Sequence, residues 1–116
     1  GSLRADVLTA MQQAVQKCAT WDSHTDASCP AEVRSSTLSS LELVALPSVL
    51  SGATDDGRYE SDDAVIRYQD TGGWFPDTSS HELKVRVKAM VIMNTDGIPE
   101  VDIDGKPSIT VTMQKR

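Results

Sequence analysis

The sequence predicts an α+β domain, with one N-terminal helix packed on a curved, mostly antiparallel sheet of four to five strands. Three observations predict it. From Leu3 to Cys18 apolar side chains recur at steps of three and four, the period of a helix with one buried stripe. From Val33 onward they recur at every second position, the period of a strand with one buried face. No further helical pattern separates the strands. Parallel pairing needs long crossovers, so these strands should pair antiparallel, and the helix can cover one face of the sheet.

The helix stripe is Leu3, Val7, Met11, Ala14, Val15 and Cys18, widened by Leu8, with Arg4, Asp6, Gln12, Gln13, Gln16 and Lys17 around it. No Pro or Gly interrupts it, and Lys17 suits the negative end of the helix dipole. Trp21 to Cys29 reads as a loop, because Asp22, Ser23, Asp26 and Ser28 compete for local backbone hydrogen bonds. Leu41, Leu43 and Ala45 form the next alternating run, and Pro47 marks its end or a bulge, after which Val49 and Leu50 can resume it. Residues 51–63 read as an acidic loop with a turn at Asp55-Asp56-Gly57.

Ala64, Ile66 and Tyr68 give another strand, and residues 70–80 a loop that contains Trp74 and Phe75. The strongest strand follows. Leu83, Val85, Val87, Ala89, Val91 and Met93 share one face, opposite Lys84, Arg86 and Lys88. Asn94-Thr95-Asp96-Gly97 supplies a hairpin turn. Val101 and Ile103 alternate with Asp102 and Asp104, and Ile109, Val111 and Met113 with Thr110 and Thr112, so both segments are expected as strands around a turn or bulge at Gly105-Lys106-Pro107. A cystatin-like or nuclear-transport-factor-like roll is the nearest common shape, and a small β-sandwich with a peripheral helix is the alternative.

The chain has 116 residues, one domain's worth, expected over 3–116 with Gly1-Ser2 as a cloning remnant. Aromatics make up only 4%, so the core must be aliphatic. The formal charge of −6 opposes binding to nucleic acid and to anionic membrane surfaces, which require a positive field. No run approaches the roughly 18 apolar residues of a membrane span. Leu3 to Ala19 is too amphipathic for a signal peptide, so any signal or anchor is expected upstream of Leu3.

Cys18 and Cys29 are the only cysteines. Zinc needs about four ligands, and His24 is the only nearby imidazole. A redox pair wants Cys-x-x-Cys spacing, and a nucleophile wants a His and an orienting group. A structural disulfide that closes the loop after the helix remains, and it implies an oxidising compartment. His24 and His81 are isolated and share no ligand spacing, so no metal site is expected. Glu100 to Gly105 has the look of a calcium-loop opening, but position one would be Glu100 rather than Asp and position twelve Val111 rather than Glu. The group Asp55, Asp56, Glu60, Asp62 and Asp63 is read as a solvated loop rather than a surface calcium site. No Gly-x-Ser-x-Gly elbow and no phosphate-cradling glycine loop occurs, so no catalytic residue and no cofactor is assigned.

Two features stand out as a candidate partner surface. Lys84, Arg86 and Lys88 form a basic row in an acidic chain, unless they pair with acids across the hairpin such as Asp102 and Asp104. Trp74 and Phe75 sit in a glycine-flanked loop, where they close one end of the core or meet a partner.

The helix ending in Cys18, the Cys29-Pro30 pair, Leu46-Pro47 within a strand segment, the Ala64 to Tyr68 strand and the long strand running into Asp96-Gly97 together carry a resemblance. The chain resembles the extracytoplasmic C-terminal domain of actinobacterial membrane proteins of unknown function. The residues around Pro30 depart from that pattern in lacking an aromatic and a glycine. Proteins of that group often place a short cytoplasmic part and one transmembrane helix before this domain. The resemblance implies a cell-surface domain, tethered to the membrane by an upstream anchor, and it carries no catalytic residues. The expectation is a non-enzymatic binding or sensing module whose partner is an envelope or extracellular protein or ligand. The alternative is a small hydrolase or ligand-binding roll with its pocket in the concave sheet face, and His81 converging with two carboxylates in a cavity would decide against the binding module.

Overall fold

The computed structural model describes residues 3–21, 27–53, 57–72 and 79–116. Helix α1 spans Leu3–Cys18. A one-turn 3-10 helix, Ala31–Arg34, leads into strands β1 (Leu38–Ala45), β2 (Leu50–Ala53), β3 (Arg58–Ser61), β4 (Ala64–Asp70), β5 (His81–Val91) and β6 (Ile109–Lys115). Every strand pairing among the described residues is antiparallel, and the sheet is open.

The six strands lie in four lanes. β1 pairs with β4 and β2 with β3, so β1–β2 and β3–β4 run side by side as two antiparallel lanes. β4 and β3 then lie end to end along one edge of β5, and β6 takes its other edge. Between the pairs Glu60↔Lys88 and Ala64↔Val85 the β3–β4 lane carries one extra residue, a bulge at Asp62-Asp63. The neighbouring lane breaks at the same level, at Leu46 to Val49, where the ring of Pro47 is buried and cannot donate to a ladder. Asp62 bridges the two breaks. Its carboxylate accepts hydrogen bonds from the Ser48 amide (2.8 Å), the Val49 amide (3.0 Å) and the Ser48 hydroxyl (3.0 Å).

The helix forms as its period requires. Val7, Met11, Val15 and Cys18 are buried against the face of β5 that carries Leu83, Val85, Val87, Ala89 and Val91. Burying aliphatic side chains of this size contributes about 1.5–3 kcal/mol each. Val33 from the 3-10 turn and Ala64 and Ile66 from β4 complete the centre. Gln12 ties the helix to the strand break, donating to the Pro47 carbonyl at 2.9 Å. The helix stops at Cys18, where the Ala19 amide is shared between the carbonyls of Val15 and Gln16 and the Thr20 hydroxyl donates to the Lys17 carbonyl.

Two expectations are corrected. Residues 51–63 are not one acidic loop, because 51–53 belong to β2 and 58–61 to β3, while Asp55 and Asp56 lie outside the described residues. Gly57, just before β3, takes φ of +86°, and its carbonyl accepts the Val91 amide at 2.8 Å. Residues 101–104 are not a strand. They belong to a doubled turn between β5 and β6, described below, in which only the isolated bridges Met93↔Pro99 and Val101↔Pro107 form.

Candidate functional site

Cys18 and Cys29 form a disulfide, with Cα atoms 5.4 Å apart. Both are buried, so they act as part of the core and offer no reactive thiol. The bond fastens the end of α1 to the start of the 3-10 turn. It is compatible with an oxidising compartment. His24 and the pair Trp74-Phe75 lie outside the described residues. Among the described residues no helix is long and apolar enough to cross a membrane. Nor does any group of three or more His, Cys, Asp or Glu side chains among them come together as metal ligands would.

Of the acidic group read together from the sequence, Asp55 and Asp56 lie outside the described residues, and Glu60, Asp62 and Asp63 have separate partners. Asp62 staples the strand break. Burial alone would push its carboxyl up, but the hydrogen bonds from Val49 and Ser48 outweigh this and hold it below the ordinary 3.8. Asp63 takes the Arg116 guanidinium Nε at 2.9 Å, and Glu60 takes Arg86 Nε at 3.5 Å.

The basic row lies on the face of β5 away from the helix. Its neighbours are not Asp102 and Asp104. Lys84 stands opposite Val65 of β4, Arg86 opposite Gln114 of β6, and Lys88 between Glu60 of β3 and Thr112 of β6. Arg86 pairs with Glu60, whereas Lys84 and Lys88 make no ion pair among the described residues. Further along the same face Arg67 sits between Glu42 (3.4 Å) and Glu82 (3.8 Å). Towards the end of β5 the face turns apolar. A groove of about 350 Å³ opens there, with Met90, Ile92, Thr110 and Thr112 along it and Arg58 and Lys88 at its rim. Met90 and Ile92 are both exposed.

Beyond this groove the chain makes two turns of identical build. In the first, the Asn94 side-chain oxygen accepts the amides of Asp96 (2.9 Å) and Ile98 (3.0 Å). In the second, an Asp102 carboxylate oxygen accepts those of Asp104 (2.8 Å) and Lys106 (3.0 Å). Gly97 and Gly105 occupy matching left-handed positions, φ +75° and +77°. Three residues spaced by eight close the base in a ring of backbone bonds. Ile92 N–H donates to Ser108, Ser108 N–H to Glu100, and Glu100 N–H to Ile92. The sequence carried this signal as a tandem octad, Met-Asn-Thr-Asp-Gly-Ile-Pro-Glu followed by Val-Asp-Ile-Asp-Gly-Lys-Pro-Ser, which strand periodicity alone overlooks. From Asn94 to Lys106 every residue but Pro99 is exposed, and Ile103 is wholly so.

A second, more polar cleft of about 430 Å³ lies where the 3-10 turn meets the ends of β4 and β5. Glu32, Tyr68, Asp70 and His81 line it, and the Tyr68 and His81 rings lie 5.5 Å apart. It brings His81 together with two carboxylates, at the end of the sheet rather than in a sheet face. Both carboxylates are already engaged. Glu32 meets Lys115 Nζ at 3.4 Å. Asp70 accepts the Thr37 hydroxyl and the Gly72 amide, and its hydrogen bonds, that of Thr37 foremost, hold its carboxyl below the ordinary value. Ser35 also lines this cleft, and its hydroxyl is held by Thr37, through the Thr37 hydroxyl at 2.9 Å and the Thr37 amide at 3.2 Å.

Comparison of the chain with protein-family models, with curated proteins and with solved structures finds no match.

Proposed function

We propose that this domain is a non-enzymatic binding module that works outside the cytoplasm, as part of a membrane-tethered envelope protein. One observation carries the reading: the apolar groove at the end of β5, with Met90 and Ile92 exposed and Lys88 at its rim. A soluble domain gains nothing by leaving adjacent aliphatic side chains on a sheet face, and such patches mark contact surfaces. The disulfide supports the compartment, because a buried bond that fastens helix to sheet requires oxidising conditions during folding. The occupant should be aliphatic and acidic, matching the groove floor and the cations beside it.

An amide-shift titration tests this. The probe is a short peptide of alternating isoleucine and glutamate, with an isoleucine–lysine peptide as control. The expected result is shifts confined to Lys88, Met90, Ile92, Thr110 and Thr112 with the acidic peptide only. Equal response to both peptides, or shifts scattered over the surface, overturns the assignment of this groove.

The His81 cleft favours the second reading, a small hydrolase or ligand-binding fold. Turnover of activated esters that is abolished by His81→Ala, in a variant of unchanged melting temperature, would establish that reading in place of the first.

A further inference from the structure

We infer that the occupant of the groove is a second copy of this chain, which inserts the doubled turn between β5 and β6. The inference rests on the groove being the binding surface and names its partner. The doubled turn is an organised element with little to bury. Its Asx caps and its ring of backbone bonds fix its shape, yet Ile98, Val101 and Ile103 project into water. Rigid exposure of three aliphatic side chains on one short arm is a feature of a contact surface, because a fixed arm brings a preorganised patch at small entropic cost.

Its charge is as distinctive as its apolar character. Between Ile92 and Ser108 the chain carries Asp96, Glu100, Asp102 and Asp104 against the single cation Lys106. The groove beside it is the reverse, with Lys88 and Arg58 around Met90 and Ile92. Among the described residues no ion pair joins the arm to Lys88 of the same chain. Arm and groove adjoin through Ile92, which belongs both to the groove lining and to the ring of bonds at the arm's base. Complementary halves side by side on one surface are what a two-fold interface requires, because each copy then offers its arm to the other's groove.

Sedimentation velocity on the oxidised full chain, at protein concentrations up to about 1 mM, reads the association directly. The expected result is a monomer–dimer equilibrium that weakens as salt rises from about 0.05 to 0.5 M. Lys88→Glu and Ile103→Asp should each weaken it at least tenfold without altering the melting temperature. A mixture of Lys88→Glu with the double variant Glu100→Lys/Asp104→Lys should re-associate, since both contacts are then charge-matched across the pair. A dimer indifferent to these changes overturns the inference, as does failure of the mixture to re-associate. A strictly monomeric chain whose groove still responds to the isoleucine–glutamate peptide overturns self-docking alone. A monomer whose groove does not respond overturns the groove reading with it.

Discussion

The Cys18 sulfur lies 3.7 Å from the thioether sulfur of Met113, so the clasp at the end of α1 packs directly on the last strand. A disulfide sulfur carries no proton, and the contact is van der Waals packing between polarisable atoms. The bond thus joins residues 11 apart in sequence while resting on one 95 positions away from Cys18.

Removing the clasp is expected to destabilise the domain by about 3 kcal/mol, the loop-closure entropy of a ring this size. Urea unfolding of Cys18→Ala/Cys29→Ala against the oxidised parent measures it. Intact mass should rise by two hydrogen atoms on reduction, and an unchanged mass would remove the bond.

Gly57→Ala should lower stability by about 2–3 kcal/mol, because the residue sits at positive φ and a methyl there would lie 2.5 Å from the Val91 carbonyl oxygen. Gly97→Ala has the same backbone requirement but nothing within 4 Å of the added methyl, so its expected loss is about 1 kcal/mol. Thermal unfolding that ranks the two equally would show that the backbone conformation, rather than the contact with Val91, dominates.

Asp62→Asn should lower stability by about 1 kcal/mol at neutral pH, a modest value because the site is exposed. The folded carboxyl titrates below its ordinary 3.8, so its stabilisation is complete above that pH and is lost as pH falls through the depressed folded value. The gap between parent and variant should therefore hold from pH 7 to about 5 and close below pH 4. A gap that widens on acidification has the wrong sign for this arrangement.

Met11→Ala should lose about 2–5 kcal/mol, since the side chain is fully buried between α1 and the sheet. Ile103→Ala should change stability by no more than about 0.5 kcal/mol, because Ile103 touches nothing that folding needs. Denaturation midpoints of the pair separate core from arm.

The sequence was most legible where burial on one side enforces a period. The buried set Leu83 to Val91 and the stripe Val7, Met11, Val15 and Cys18 appear as read. β3 escaped notice because Arg58-Tyr59-Glu60-Ser61 is held by backbone pairing to β5 and leaves little hydrophobic signal. Val101 and Ile103 misled in the opposite direction. Their alternation with Asp102 and Asp104 resembles a strand, but the Asp102 cap and the left-handed Gly105 bend the chain there. The groove was half legible. Lys88 is legible only as one member of the basic row with Lys84 and Arg86, while Arg58, Thr110 and Thr112 reach the groove only through the register of β3 and β6 on β5.

The ring joining Ile92, Glu100 and Ser108 makes the length of the arm a counted quantity. Excising one octad, residues 93–100, leaves Ser108 to take the place of Glu100 opposite Ile92, and the three-way junction becomes an ordinary hairpin that continues the β5–β6 ladder. Excising four residues offers no such substitute and must break the ladder. Reach beyond the sheet is therefore expected to change in steps of eight residues, and a chain shortened by one step should keep its fold while projecting one turn instead of two.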